Sequence, residues 1–161
     1  MVGAEPRLRS AGVARRGVVM ELRGRCHCGN IDLVLHWTGD PHGIPARACG
    51  CTFCTAHGAV WTCHPQARLE VTIREPAHVS EYAFGTETAQ FRVCTRCGVV
   101  PLSTSTIDGV VYAVVNVRTL KGVDPGDLRH ASADFDGEAL EDRLARRSRN
   151  WIADVRVATA S

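Results

Sequence analysis

Between residues 68 and 74 the chain alternates without a break. Leu69, Val71 and Ile73 fall on one side, and Arg68, Glu70, Thr72 and Arg74 on the other. Successive side chains of an extended strand point to opposite faces, so this segment predicts a half-buried strand. Residues 31–37 form an apolar, strand-like run. Further runs at 59–63, 79–84, 89–93, 99–104 and 110–117 predict strands as well. Asp108-Gly109, between two of these runs, has the residue types of a tight hairpin turn. The Gly- and Pro-rich residues 39–45 predict a loop.

Beyond Val117 the pattern changes. Asp124-Pro125-Gly126-Asp127 reads as a turn. Residues 138–147 place Leu140 and Leu144 at i, i+4 among charges, which predicts a short amphipathic helix whose arginines face water. The last ten residues carry no readable pattern. The organisation expected is an N-terminal tail at 1–19, one mainly β domain at 20–135, and a C-terminal helix and tail at 136–161. No repeat and no second domain is visible.

Composition limits the functions open to this fold. The chain has 161 residues, 45% apolar but only 6% aromatic, enough for one modest core. Its net charge is +2. Residues 1–19 hold Arg7, Arg9, Arg15 and Arg16 against Glu5, so they carry +3 and the remainder carries −1. The patterned region is near neutral, which gives no reason to expect nucleic acid as a partner, and four arginines without aromatics do not make a binding arm. No apolar run approaches the roughly 18 residues of a membrane span. Arginine interrupts every stretch that could serve as the apolar core of a secretion signal, and the tail composition predicts disorder. Met20 opens the patterned region, so an over-extended start is compatible with the sequence. The expected compartment is the cytoplasm, where thiols stay reduced and clustered cysteines serve as metal ligands more often than as disulfides.

The cysteines are the main chemical signal. They stand at Cys26, Cys28, Cys49, Cys51, Cys54, Cys63, Cys94 and Cys97. Cys26 and Cys28 form C-x-C, and Cys94 and Cys97 form C-x-x-C. Each pair is followed by a glycine, Gly29 or Gly98. Two such knuckles supply four thiolates, the closed tetrahedral set of a structural zinc. Cys49, Cys51 and Cys54 form C-x-C-x-x-C and supply only three. Three protein ligands and one open position are the pattern of a catalytic zinc. Other readings stay open here: disulfides, an iron–sulfur site, or a trio closed into a structural site by His57, Cys63 or His64. Cys63, in an apolar run, reads as a buried free thiol, with a redox nucleophile as the alternative. Trp61 and Trp151 read as core.

The order of these motifs resembles the glutathione-dependent formaldehyde-activating enzyme family, which also includes centromere protein V. The residues that carry the resemblance are Gly24-Arg25-Cys26-His27-Cys28-Gly29, Cys49-Gly50-Cys51-Thr52-Phe53-Cys54 and Phe91-Arg92-Val93-Cys94-Thr95-Arg96-Cys97-Gly98, with Asn116-Val117-Arg118-Thr119-Leu120 after a strand. It spans roughly residues 20–130. Gly50 stands where many members have histidine, and no motif marks residues that contact glutathione.

The resemblance implies a β-tent of several small coiled antiparallel sheets stapled by zinc. It implies two zinc ions: a structural one on Cys26, Cys28, Cys94 and Cys97, and a catalytic one on Cys49, Cys51 and Cys54. The implied activity is that of a carbon–sulfur lyase, an S-(hydroxymethyl)glutathione synthase acting on glutathione and formaldehyde or a related aldehyde. His57 and His64 are the candidate proton donors, and Arg47 and Arg118 the candidate contacts for an anionic thiol. The competing expectations are a non-catalytic, zinc-stabilised interaction module and a thiol redox enzyme using Cys63.

Overall fold

A computed structural model describes residues 19–160, so the expected N-terminal tail lies outside the described residues except for Val19. Among the described residues twelve strands run in chain order. They are β1 Met20–Arg25, β2 Ile31–Trp37, β3 Ile44–Cys49, β4 Val60–Thr62, β5 Arg68–Ile73 and β6 Val79–Tyr82. The second half holds β7 Gln90–Cys94, β8 Leu102–Ile107, β9 Val110–Asn116, β10 Leu120–Lys121, β11 Leu128–Ala133 and β12 Asp154–Thr159. Two α-helices join them, α1 Thr52–His57 and α2 Leu140–Asn150.

The strands form two mixed sheets, one of five in the order β10-β1-β2-β5-β12 and one of seven in the order β11-β3-β4-β9-β8-β7-β6. The mainly β expectation holds. Each sheet, however, carries one parallel edge strand, β12 against β5 and β11 against β3, where wholly antiparallel sheets were expected.

The five-stranded sheet follows from the alternation. Its register sets Leu22 opposite Leu35, Leu33 opposite Val71 and Leu35 opposite Leu69. With Ile31 and Trp37 these side chains are buried, while Arg23, Arg25 and Thr72 on the other face meet solvent. In the seven-stranded sheet β8 and β9 are the centre, and Ala113, Val114 and Val115 are buried on both faces. Their turn is the one read from sequence: Asp108 and Gly109 both have positive φ, 49° and 79°, as a twisted two-residue hairpin requires.

Strands β1, β10 and β11 were not expected from the sequence, and three further elements also differ from that reading. The loop expected at 39–45 ends sooner, because Ile44 opens β3 with Pro45 inside it. Helix α1 has only six residues and buries a single one, Cys54, so it has no apolar periodicity to read. It is set by its ends: the Cys51 sulfur accepts the Cys54 N–H at 3.4 Å, and Gly58 stops the helix in the left-handed conformation, φ 61°. The patternless C-terminal residues form β12, whose Val157 is 55% exposed. That strand is delivered by α2 and by a bridge between Ile152 and Ala113, with N–H···O distances of 3.0 and 2.9 Å.

Candidate functional site

The two knuckles are built alike. In the first, Cys26 N–H donates to Ile31 O at 2.9 Å, Gly29 turns with φ 79°, and Ile31 N–H donates to the Cys26 sulfur at 3.2 Å. In the second, Cys94 N–H donates to Val99 O at 3.0 Å, Gly98 turns with φ 73°, and Gly98 N–H donates to Cys94 O at 2.7 Å. Positive φ is open to glycine at no steric cost, which is why each pair is followed by one. Asn30, 3% exposed, ties the first knuckle to the chain near the second: its amide oxygen accepts from Glu75 N–H at 2.9 Å and its NH2 donates to Glu75 O at 3.2 Å.

Cys26, Cys28, Cys94 and Cys97 thereby meet, with all four sulfurs within 4.8 Å of one another. The Cys28 and Cys94 sulfurs are 3.5 Å apart across 66 residues of chain. No disulfide links them. Burial pushes the Cys26 thiol up to about 12. At Cys97 burial also raises the value, but the backbone N–H groups of Cys28 and Val99 and the neighbouring thiols bring it down to about 6. Four sulfurs converging without bonding covalently, two of them fully buried, are a donor set that suits a thiophilic dication.

The second cluster sits where β3 runs into α1. Cys49 ends the strand, Cys51 caps the helix and Cys54 lies in its first turn, and the three sulfurs again lie within 4.8 Å of one another. A hydrogen bond from the Cys54 thiol holds the Cys49 thiol down to about 5, while that same bond, with burial, raises Cys54. The trio is thus ready to hold negative charge. Trp61 Nε1–H donates to the Cys54 sulfur at 3.2 Å, the kind of outer contact that orients and stabilises a ligating thiolate.

The trio gains no fourth side chain from the candidates downstream. His57 is exposed and packs on Phe53 with ring centroids 4.5 Å apart. His64 turns away to Thr38 Oγ1, at 3.3 Å, and to the ring of Trp37. Cys63 is 5% exposed and its sulfur accepts from Arg47 Nη2 at 2.5 Å. Burial raises that thiol although Arg47 opposes the shift. Cys63 is thus the buried free thiol read from the sequence, and it lacks the exposure and depressed pKa that the redox alternative needs. Neither His57 nor His64, the candidate proton donors, lines the cleft beside the trio.

That cleft encloses about 600 Å³. Cys49, Cys51 and Cys54 line it together with Trp61, Phe91 and Trp151. Of the two candidate contacts for an anionic thiol, Arg47 lines it, whereas Arg118 is exposed and lies outside it. The larger correction concerns α2. Three of its four arginines do not face water: Arg147 is 6% exposed, Arg143 and Arg146 are half-buried, and all three line the cleft, while Arg149 is exposed and Leu140 is 48% exposed. The signal was present in their spacing, since i, i+3 and i+4 share one helix face. A charged face does not, by itself, declare that it will be covered.

No helix among the described residues is long and apolar enough to cross a membrane. No curated protein matches the chain. A crystal structure of a Rhodobacter sphaeroides protein is similar at 27% identity, covering 68% of this chain and 99% of its own, with a TM-score of 0.49. The profile of the family described as glutathione-dependent formaldehyde-activating enzyme matches residues 21–132, a span that contains both sulfur clusters and well over half of the chain. The chain belongs to the glutathione-dependent formaldehyde-activating enzyme family.

Proposed function

We propose that this protein is a zinc-dependent carbon–sulfur lyase that adds glutathione reversibly to formaldehyde, or to a related aldehyde, at the trio Cys49, Cys51 and Cys54. The observation that carries the reading is the contrast between the clusters. The quartet supplies a complete tetrahedral set, while the trio supplies three sulfurs at the wall of a cleft large enough for a small peptide. In this reading the quartet holds a structural zinc and the trio a catalytic one.

When bound at the trio, zinc would supply Lewis acidity, lowering the pKa of a thiol in its fourth position. The protein's part is to hold three sulfurs in fixed geometry through the cap and turn of α1, and to steady Cys54 with the Trp61 N–H. Phe91 and Trp151 give the cleft an apolar wall that excludes water around the reacting carbon. In the addition, the substrate sulfur forms a bond to the carbonyl carbon and the carbonyl π bond breaks. The proton lost by the sulfur ends on the new hydroxyl. In this reading Asp134 and Asp136, which line the cleft, relay it. No oxidant or reductant enters the balance.

The test is zinc content and coordination number, read with and without glutathione. Two zinc ions per chain, one of which gains a sulfur neighbour when glutathione is added, together with faster hydroxymethyl adduct formation than in buffer, is the expected result. A single zinc, or two whose surroundings ignore glutathione, refutes it.

A further inference from the structure

Helix α2 follows the family-matched region 21–132, so nothing in that match assigns its residues a task. Its cleft-facing arginines are unusual in how little they are paired. Arg146 is satisfied: Nε and Nη2 grip the two Glu138 oxygens at 2.8 and 2.9 Å, and its guanidinium lies 3.6 Å from the Phe135 ring centroid. Arg143 donates Nη2–H to Phe135 O at 2.7 Å, but its buried Nε makes no hydrogen bond and reaches only as far as a 3.8 Å ion pair with Glu138 Oε2.

Arg147 is the extreme case. Nη1 donates to Thr88 O at 3.1 Å, Thr88 Oγ1 at 2.9 Å and Ser105 Oγ at 3.3 Å, all of them neutral. Its Nε is buried without a partner, so the edge of the guanidinium that grips a carboxylate in a two-point fork has no acceptor there. Among the described residues the ion pairs of these arginines reach a single carboxylate, Glu138, and none involves Arg147. Glu138 is shared by Arg143 and Arg146, and with Arg47 the cleft wall carries four guanidiniums against three carboxylates, none of which pairs with Arg147. The other acids there, Asp134 and Asp136, are exposed.

A charge taken out of water and left unpaired is costly, so a native fold that keeps one usually has a use for it. Burial, followed by the fields of Arg143 and Arg146, lowers Arg147 to about 10, still high enough to stay cationic at neutral pH. The missing counter-ion belongs to a ligand, because the same cleft is lined by the trio.

We infer that Arg147 and Arg143 form a carboxylate-binding subsite of the cleft, which selects thiol substrates bearing a carboxylate and orients them with the sulfur toward Cys49, Cys51 and Cys54. The inference rests on the thiol reading above and adds the residues that would make the cleft discriminate. Neutral thiols enter the same cleft but leave the two arginines uncompensated.

The probe is S-methylglutathione, whose sulfur is capped so that its binding does not depend on thiolate ligation, compared with its dimethyl ester, which lacks both carboxylates. Calorimetry uses the zinc-loaded full chain. The wild type is expected to bind the acid about tenfold more tightly than the ester, one good charge-assisted fork. Arg143→Gln and Arg147→Lys are each expected to bring that ratio toward one by weakening the acid alone, a discrimination that a purely structural role would not move. Equal binding of acid and ester by the wild type, no binding of either, or a ratio that survives in both variants overturns the inference. Failure of the thiol reading shows elsewhere, as zinc surroundings indifferent to glutathione while the acid-to-ester preference persists.

Discussion

Replacing Cys94 by serine should cost this domain most of its stability, and the structure sets the scale. The Cys94 sulfur is 0% exposed and lies 3.5 Å from that of Cys28, 66 residues away in the chain. A metal held by the quartet is a cross-link closing that loop. Chain-entropy reasoning for a loop of this length gives about 4 kcal/mol of destabilisation of the unfolded chain. A single domain has about 5–15 kcal/mol in total. The thin aromatic core here leaves little in reserve, and metal-binding free energy of order 10 kcal/mol feeds directly into folding in small zinc domains. Cys54→Ser is the control. The trio closes only a short turn already fixed by α1, and serine keeps an acceptor for the Trp61 N–H, so its loss should be about 1 kcal/mol. The assay is urea unfolding followed by circular dichroism, with zinc content measured on the same samples. The midpoint of Cys94→Ser should fall far below that of Cys54→Ser, and excess chelator should lower the wild type toward the Cys94→Ser value. If both variants unfold at one midpoint, or chelator leaves the wild type unmoved, the assignment of a stapling quartet and a separate trio is wrong.

Trp61→Phe keeps the ring and removes the N–H that Cys54 accepts at 3.2 Å; chelator competition should show metal held about tenfold less tightly at the trio, with a small change in the unfolding midpoint. Leu69→Ala opens a cavity at a fully buried position between β2 and β12, and denaturant unfolding should register a loss of about 2–5 kcal/mol with both metals still bound. Glu138 is held below its ordinary 4.5, first by its hydrogen bonds to Arg146 and then by the charges of Arg146, Arg143 and Arg147. Its contribution is therefore present above the unfolded-state value and lost as pH falls through the lower folded value; wild type minus Glu138→Gln stability should shrink over that acid window and be flat at neutral pH. A difference that instead grew with acid would contradict the pairing.

Periodicity sufficed wherever a strand has one wet and one dry face. Residues 31–37 and 68–73 are strands because their alternation can be satisfied in only one register against a core. The cysteines were equally legible, because a C-x-C or C-x-x-C knuckle followed by glycine is a local object: backbone geometry within six residues aims both sulfurs, whatever surrounds them. The meeting of the two knuckles could be inferred from valence alone, since two thiolates do not complete a zinc.

What lay outside the sequence's reach depends on the path of the chain in space. Strand β12 has no pattern of its own and exists because α2 ends beside β9 and returns the chain to the edge of β5. The arginines of α2 read as a solvated face because burying a guanidinium is unfavourable unless something distant repays it, and Thr88 and Ser105 are brought to Arg147 only by the folded chain. For the same reason Cys63, His57 and His64 looked equivalent along the chain. Only packing decided that one sulfur is enclosed against Arg47 and that both imidazoles lie away from the cleft, leaving three sulfurs and the three arginines of α2, with Arg47, to face the same space.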